Sequence, residues 1–302
     1  METAESTGTQ TAGSQLLAKY RHELVSVNNV LLHVVMAGPE DGELVVLLHG
    51  FPEFWYGWRH QIDALADAGF RVLIPDQRGY NLSEKPKDLD AYRIDQLVGD
   101  INMLVRWAKR DQAVIIGHDW GAMVAWWLAI MYSRRVKKLG ILNVPHPKIF
   151  EKTLRSDIRQ MMRSTYAGFF QLPWLPETLT SLNDYRPFAK AIQDSAHSGS
   201  FTDADMDAYR AMWSRPGAMR SMLNWYRAYA QLSKPEVETF RVRVPTLMLW
   251  GMNDFALGSN MAQPSIEMCD DGRLIEIPEA THWVQHDAAD KVNRHLLEFL
   301  NA

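Results

Sequence analysis

The sequence predicts an α/β fold: a mostly parallel central sheet flanked by helices, with a block of helices inserted before the last two strands. Three observations predict it. Short apolar runs of strand length alternate with helical patterns through the first half of the chain, the alternation that builds a parallel sheet. The stretch Val-Ile-Ile-Gly-His-Asp-Trp-Gly-Ala at 114–122 reads as a buried strand, a tight turn and the start of an apolar helix. Strand patterning then stops after Pro147 and resumes only at Pro245.

Taken in order, residues 1–18 are rich in Thr, Ser and Gly and are expected to form a disordered tail. They lack the basic and apolar regions of a signal peptide, so a cytoplasmic protein is expected. Segments 23–27 and 30–36, separated by Asn28-Asn29, predict a hairpin at an antiparallel edge of the sheet. Leu44–Leu48, Arg71–Pro75, 113–116 and Val136–Leu142 are runs of buried-strand length with helical patterns between them. From about 145 to 234 the chain is helical and interrupted by proline, and it is rich in Met, Trp and Tyr. Strands at 246–250 and 274–277 complete the sheet, and 287–300 places Val292, Leu296 and Leu300 on one helical stripe. The expected organisation is a tail at 1–18, a core formed by 19–144 with 235–302, and a helical cap at 145–234 over the carboxyl ends of the strands.

Composition narrows the function. At 302 residues and 47% hydrophobic content the chain can bury a full core. A formal net charge of −4 leaves no electrostatic footprint for nucleic acid or an anionic membrane. The basic run 134–138 lies beside a predicted helix end, where it favours the dipole. The longest apolar run, 122–132, is too short to span a bilayer. The one cysteine, Cys269, excludes an intrachain disulfide and reads as a packed thiol.

The chemistry centres on Asp119. Gly117 and Gly121 flank it at the spacing of a nucleophile elbow, where small residues let strand and helix approach and push the central side chain outward. A carboxylate at the apex suits displacement at saturated carbon, and the product is an alkyl ester of the enzyme. The start of the following helix favours its ionised form. Turnover requires a base to activate water and a partner to hold the base. Directly after strand 246–250 comes Asp254, and after strand 274–277 comes His282, the chain order nucleophile, acid, histidine. Asn143, after an earlier strand, is the alternative to Asp254 but carries no charge. His286 competes with His282, though its place at the start of the last helix suits a surface or capping role. The loop His49-Gly50-Phe51-Pro52 follows strand Leu44–Leu48, so the backbone N–H groups of Phe51 and Trp120 can form an oxyanion hole.

The segments HGFPEFWYGWRHQI, DQRGY, GHDWGA, LNWYRAY and ATHWVQHD together resemble the epoxide hydrolases of the α/β-hydrolase superfamily. The resemblance runs from about Leu24 to the C-terminus and implies the α/β-hydrolase fold with its helical lid. It implies that Tyr166 and Tyr226 bind the epoxide oxygen and protonate it as the ring opens. Tyr56, Tyr185, Tyr209 and Tyr229 are separated from that pair by flanking motif alone. The resemblance also implies a cis bond at Phe51-Pro52. Asn81, in a turn where relatives often carry glycine, tolerates the left-handed conformation.

The implied activity is conversion of an epoxide to a vicinal diol, with neither metal nor organic cofactor required. The substrate is a small molecule, apolar or aromatic in view of the lid composition, although the same residues would also simply pack helices together. Neither nucleic acid nor membrane is expected as a partner, and a homodimer is left open. Two other readings remain. A haloalkane or haloacid dehalogenase would use the same aspartate, and Trp120 fits either enzyme, while Phe51 and the tyrosine pair favour the epoxide. A non-catalytic hydrolase-fold protein that binds a small molecule is the third.

Overall fold

The computed structural model describes residues 19–302, and the tail expected at 1–18 lies outside the described residues. Strands β1 (Arg21–Val27) and β2 (Val30–Ala37) form the expected hairpin, paired in full register from Arg21↔Met36 to Val27↔Val30. Asn28 and Asn29 both take positive φ, 44° and 59°, the two left-handed residues that match the twist of a tight hairpin. Next come β3 (Leu44–Leu48), helix α1 (Ile62–Asp67), β4 (Arg71–Pro75) and α2 (Ile94–Trp107). Then follow β5 (Ala113–His118), α3 (Trp120–Met131) and β6 (Val136–Leu142).

From here seven helices intervene without a strand. They are α4 (Pro147–Ser156), α5 (Ile158–Arg163), α6 (Thr165–Phe169), α7 (Leu175–Thr180), α8 (Arg186–Ser195), α9 (Asp203–Trp213) and α10 (Ala218–Gln231). The chain returns to the sheet with β7 (Thr246–Gly251), then α11 (Ala262–Ile266), β8 (Gly272–Ile277), α12 (Val284–Asp287) and α13 (Ala289–Asn301).

The eight strands form one sheet in the order β1-β2-β4-β3-β5-β6-β7-β8. The hairpin pairs antiparallel with β4, and every pairing from β4 through β8 is parallel. Sequence order reverses at β3, whose neighbours are β4 and β5. Ligands bind such sheets beyond the carboxyl ends of the strands at that reversal. The loops leaving β3 and β5 carry Phe51 and Asp119.

Helix α3 is apolar on every side, and its residues from Gly121 to Ala129 are all buried. It lies close against the sheet because a Cβ on Gly121 would sit 2.0 Å from the Leu48 carbonyl oxygen. The inserted helices dock through polar anchors. The indoles of Trp213 and Trp225 donate to the carbonyls of Pro52 and Arg78 at 2.7 and 2.9 Å. Asp205 closes a capping box with Thr202 at the start of α9 and also accepts from the Tyr56 hydroxyl at 2.8 Å. Cys269 is buried and free. Among the described residues no helix is long and apolar enough to cross a membrane.

The contact at Gly121 yields a prediction. Gly121→Ala should cost about 3 kcal/mol of stability through overpacking. Gly168→Ala, at a helical position with open space around it, should raise stability by about 0.5–1 kcal/mol. Urea denaturation of the two variants checks both, and equal midpoints would contradict the account.

Candidate active site

Asp119 stands between β5 and α3 with φ 49° and ψ −126°, a conformation that non-glycine residues avoid and that the packed elbow imposes. Its carbonyl accepts from the Ala122 and Met123 N–H groups. Its carboxylate makes no capping bond to α3. Instead Oδ1 accepts from the Phe51 N–H at 2.6 Å. That donor comes close because residue 50 is glycine: a Cβ there would lie 2.2 Å from the Asp119 Cβ. The Phe51–Pro52 bond is cis.

His282 Nε2 lies 3.5 Å from Asp119 Oδ2, and its Nδ1 lies 2.8 Å from Asp254 Oδ2. The Asp254 carboxylate is fully enclosed, with Oδ1 accepting from the Ala256 and Leu257 N–H groups at 2.7 and 2.8 Å. Asn143, weighed above as the alternative acid, supports Asp254 here. Its Nδ2 donates to Asp254 Oδ2 at 2.8 Å, and its Oδ1 accepts from the Gly251 N–H at 2.8 Å. Asp119, Asp254 and His282 thus come together from the ends of β5, β7 and β8.

Charge in this cluster is mutually supported. Burial works against the imidazolium of His282, yet the carboxylates of Asp254 and Asp119 outweigh it and hold the ring up at about 10. Burial likewise pushes the Asp119 carboxyl up, and His282, His118 and the Phe51 N–H together bring it below its ordinary value.

Two cavities meet at Asp119. One has a volume of about 580 Å³ and is walled by Met123, Phe150, Leu154 and Met161 among others. The other has about 250 Å³ and is walled by Phe51, Phe170, Phe188, Ile192 and Trp283, with His282. Tyr166 and Tyr226 line both. Their rings stand 6.1 Å apart and nearly perpendicular, and Tyr226 packs edge-on against Phe51, Trp120 and Phe170. Burial, and then the Asp119 charge, raises both phenols above their ordinary value, so both are neutral donors. Of the other tyrosines, Tyr229 also lines the larger cavity and packs edge-on against Trp120, while Tyr185 packs on Trp213. Tyr56 and Tyr209 donate to Asp205 and Glu53, and the Tyr229 hydroxyl lies 3.8 Å from Met123 Sδ.

His286 departs from expectation. It neither caps a helix nor lies at the surface: its ring is buried, with Nε2 2.8 Å from Glu53 Oε1 and Nδ1 3.1 Å from Arg59 Nη1. The short α12 turns it inward against the loop after β3. It belongs to a buried polar cluster that the sequence reading missed. Glu53 accepts from the Tyr209 hydroxyl at 2.6 Å and from Gln285 Nε2 at 3.0 Å. His118 bonds through Nε2 to the His282 carbonyl at 2.8 Å. The signal for these residues was adjacency, since Glu53 lies inside the HGFPE run and His118 directly precedes Asp119. The Asn81 turn survives at φ 40°, its amide donating to Asp76 Oδ2 at 2.7 Å. Among the described residues no group of three or more His, Cys, Asp or Glu is arranged to hold a metal ion.

Comparison with known proteins identifies the family. The family model described as alpha/beta hydrolase fold matches residues 43–289. The chain is 46% identical over 281 residues to AB hydrolase superfamily protein YfhM of Bacillus subtilis (strain 168), covering 92% of this chain and 97% of that one. It is 38% identical to epoxide hydrolase 4 of Homo sapiens, covering 89% of this chain and 75% of that one. The crystal structure of an epoxide hydrolase from Bacillus megaterium in complex with an inhibitor superposes with a TM-score of 0.85 at 32% identity, covering 93% of this chain and 100% of that one. The chain therefore belongs to the α/β-hydrolase superfamily, among the relatives there that are epoxide hydrolases.

Proposed function

We propose that the chain hydrolyses epoxides to vicinal diols through an ester on Asp119. The observation that carries this reading is the facing of an ionised carboxylate by two neutral phenols across a mostly apolar cavity. An alkoxide is a strongly basic leaving group, so its departure needs a proton or two strong hydrogen bonds, which Tyr166 and Tyr226 supply. A halide leaves without a proton, so the phenol pair would have no task in a dehalogenase. The helices of 145–234 act as a cap that contributes these phenols.

Oδ1 of Asp119 is tied to the Phe51 N–H, which leaves Oδ2 to attack the epoxide carbon. The ring C–O bond breaks, and the alkoxide oxygen takes a phenolic proton. Esterification removes the Asp119 charge, one of the two that hold His282 protonated, and burial then drives its pKa down. The proton that His282 gives up restores the phenol through solvent. Neutral His282, held by Asp254, next takes a proton from water, whose oxygen attacks the ester carbon. The oxyanion develops on Oδ1 against the Phe51 and Trp120 N–H groups. The acyl C–Oδ2 bond breaks and Oδ2 takes the second proton of the attacking water, so the diol leaves with Oδ2, the water oxygen stays in the Asp119 carboxylate, and His282 is again protonated.

That atom balance is testable. With enzyme in excess in heavy-oxygen water, a single turnover should give unlabelled diol and label at Asp119, read by peptide mass; label in the diol instead would mean that water attacks the epoxide directly. Replacing Tyr166 and Tyr226 together with Phe should slow ester formation by roughly 10²–10⁴-fold. Unchanged turnover of an epoxide by that variant would sink the ring-opening assignment.

The pH dependence follows with its sign. Hydrolysis of the ester requires neutral His282, so its rate should rise as pH rises through the pKa of the intermediate. That pKa lies below the value of about 10 in the free site, because Asp119 is then uncharged. Asp254→Asn should move the inflection lower still, while slowing the step. Single-turnover rates across pH check this, and a rate flat from acid into alkali would contradict it.

A further inference from the structure

Tyr166 and Tyr226 are held in very different ways. Tyr226 sits within the fourteen-residue helix α10, nearly buried among Phe51, Trp120 and Phe170. Tyr166 rides on α6, a helix of five residues, and among the described residues its hydroxyl makes no hydrogen bond. Isolated helices this short do not hold themselves, so something outside α6 must fix it.

Gln171 ties the end of α6 to α10, its Nε2 donating to the Ala167 and Tyr226 carbonyls at 3.1 and 3.3 Å, and the side chain placed to fix the start of α6 is Gln160 on α5. It is 1% exposed, in a cap segment whose neighbours Arg159, Met161 and Met162 are exposed. Its Nε2 donates to the Ser164 hydroxyl at 3.0 Å and to the Ala256 carbonyl at 2.8 Å. Its Oε1 accepts from the Gly258 N–H at 2.9 Å. Ser164 is the residue that opens α6, and it lies two positions before Tyr166. Ala256 and Gly258 belong to the turn that begins at Asp254, whose Oδ1 holds it from the inside. Two further bonds latch the same face of α5 to that turn: Asn260 Nδ2 donates to Asp157 Oδ2 at 3.1 Å, and Arg163 Nη1 donates to the Asp254 carbonyl at 3.4 Å.

We propose that Gln160 is a positioning residue for ring opening: it latches the short helix that carries Tyr166 onto the Asp254 turn and so sets where the Tyr166 phenol meets the epoxide oxygen. The inference rests on the proposed role of Tyr166. The coupling is one-sided. Asp254 keeps the Ala256 and Leu257 N–H groups, Asn143 and His282 as partners when Gln160 is lost, whereas the Tyr166 hydroxyl has no polar anchor of its own. Loss of Gln160 therefore disturbs ester formation and spares ester hydrolysis.

Gln160→Leu keeps the volume and removes all three bonds. In single-turnover measurements with an aryl epoxide, it should slow ester formation roughly tenfold or more and change ester hydrolysis less than about twofold. In a Tyr166→Phe background the same substitution should change ester formation less than about twofold, because the group it positions is already gone. A general loosening of the cap would instead slow ester formation equally in both backgrounds, and that result overturns the proposal, as does hydrolysis slowed as much as formation. Gln160→Glu keeps the acceptor for the Gly258 N–H and loses donors. It should show the same pattern with a smaller effect, and it carries the test if the leucine variant does not fold. Absence of any ester at Asp119, in wild type and in a His282→Gln background alike, would overturn the functional reading itself; ester formation without the coupling overturns only the role of Gln160.

Discussion

Two enclosed carboxylates share one imidazole, and the rest of the molecule is arranged to make that tolerable. Separate burial of Asp119, Asp254 and His282 would neutralise each of them, since a low-dielectric surrounding disfavours charge. Side by side, His282 is held protonated and Asp119 ionised. The arrangement is also poised to change. Under the proposed mechanism, an ester at Asp119 would remove one support from the imidazolium, because only Asp254 would then carry a charge beside His282.

Holding three such groups within bonding range requires three separate strand ends to be fixed in register. Strands β5, β7 and β8 deliver Asp119, Asp254 and His282, and β6 between β5 and β7 delivers Asn143, which fastens the Asp254 loop. Parallel pairing brings all of these to the same edge of the sheet, and the reversal of strand order at β3 opens room there for the Phe51 loop. The packing of α3 against Leu48 lets the Asp119 carboxylate project at that edge rather than lie within the sheet.

The second requirement is that the inserted helices stay in register with the sheet. Several of the contacts that do this are polar and buried: Glu53 with Tyr209, Asp205 with Tyr56, and the indoles of Trp213 and Trp225 on loop carbonyls. Buried polar partners specify one arrangement, because any other leaves a donor or acceptor unpaired at a cost of about 1–3 kcal/mol. An apolar interface would allow the helices to slide. The proposed role of Tyr166 and Tyr226 requires that the helices do not slide.

Much of this was legible in the chain before folding. Apolar runs, turn residues and the position of each candidate just after a strand are local properties, so the strands, the Asn28-Asn29 hairpin, the interruption after β6 and the order of Asp119, Asp254 and His282 could be read directly. Partnership could not be read, because it depends on which distant segments meet. Asn143 looked like a rival to Asp254 and is its support; His286 looked like a surface residue and is bonded to Glu53 across more than two hundred positions. Gln160 carried no motif at all, and its burial against Ala256 and Gly258 exists only once α5 has docked on the turn after β7. The sequence by itself determined the elements and which ionisable residues stand at their ends, since these follow from periodicity and residue type. The tertiary structure alone decided which polar groups satisfy one another, since a hydrogen bond is a matter of ångströms between segments that the sequence keeps far apart.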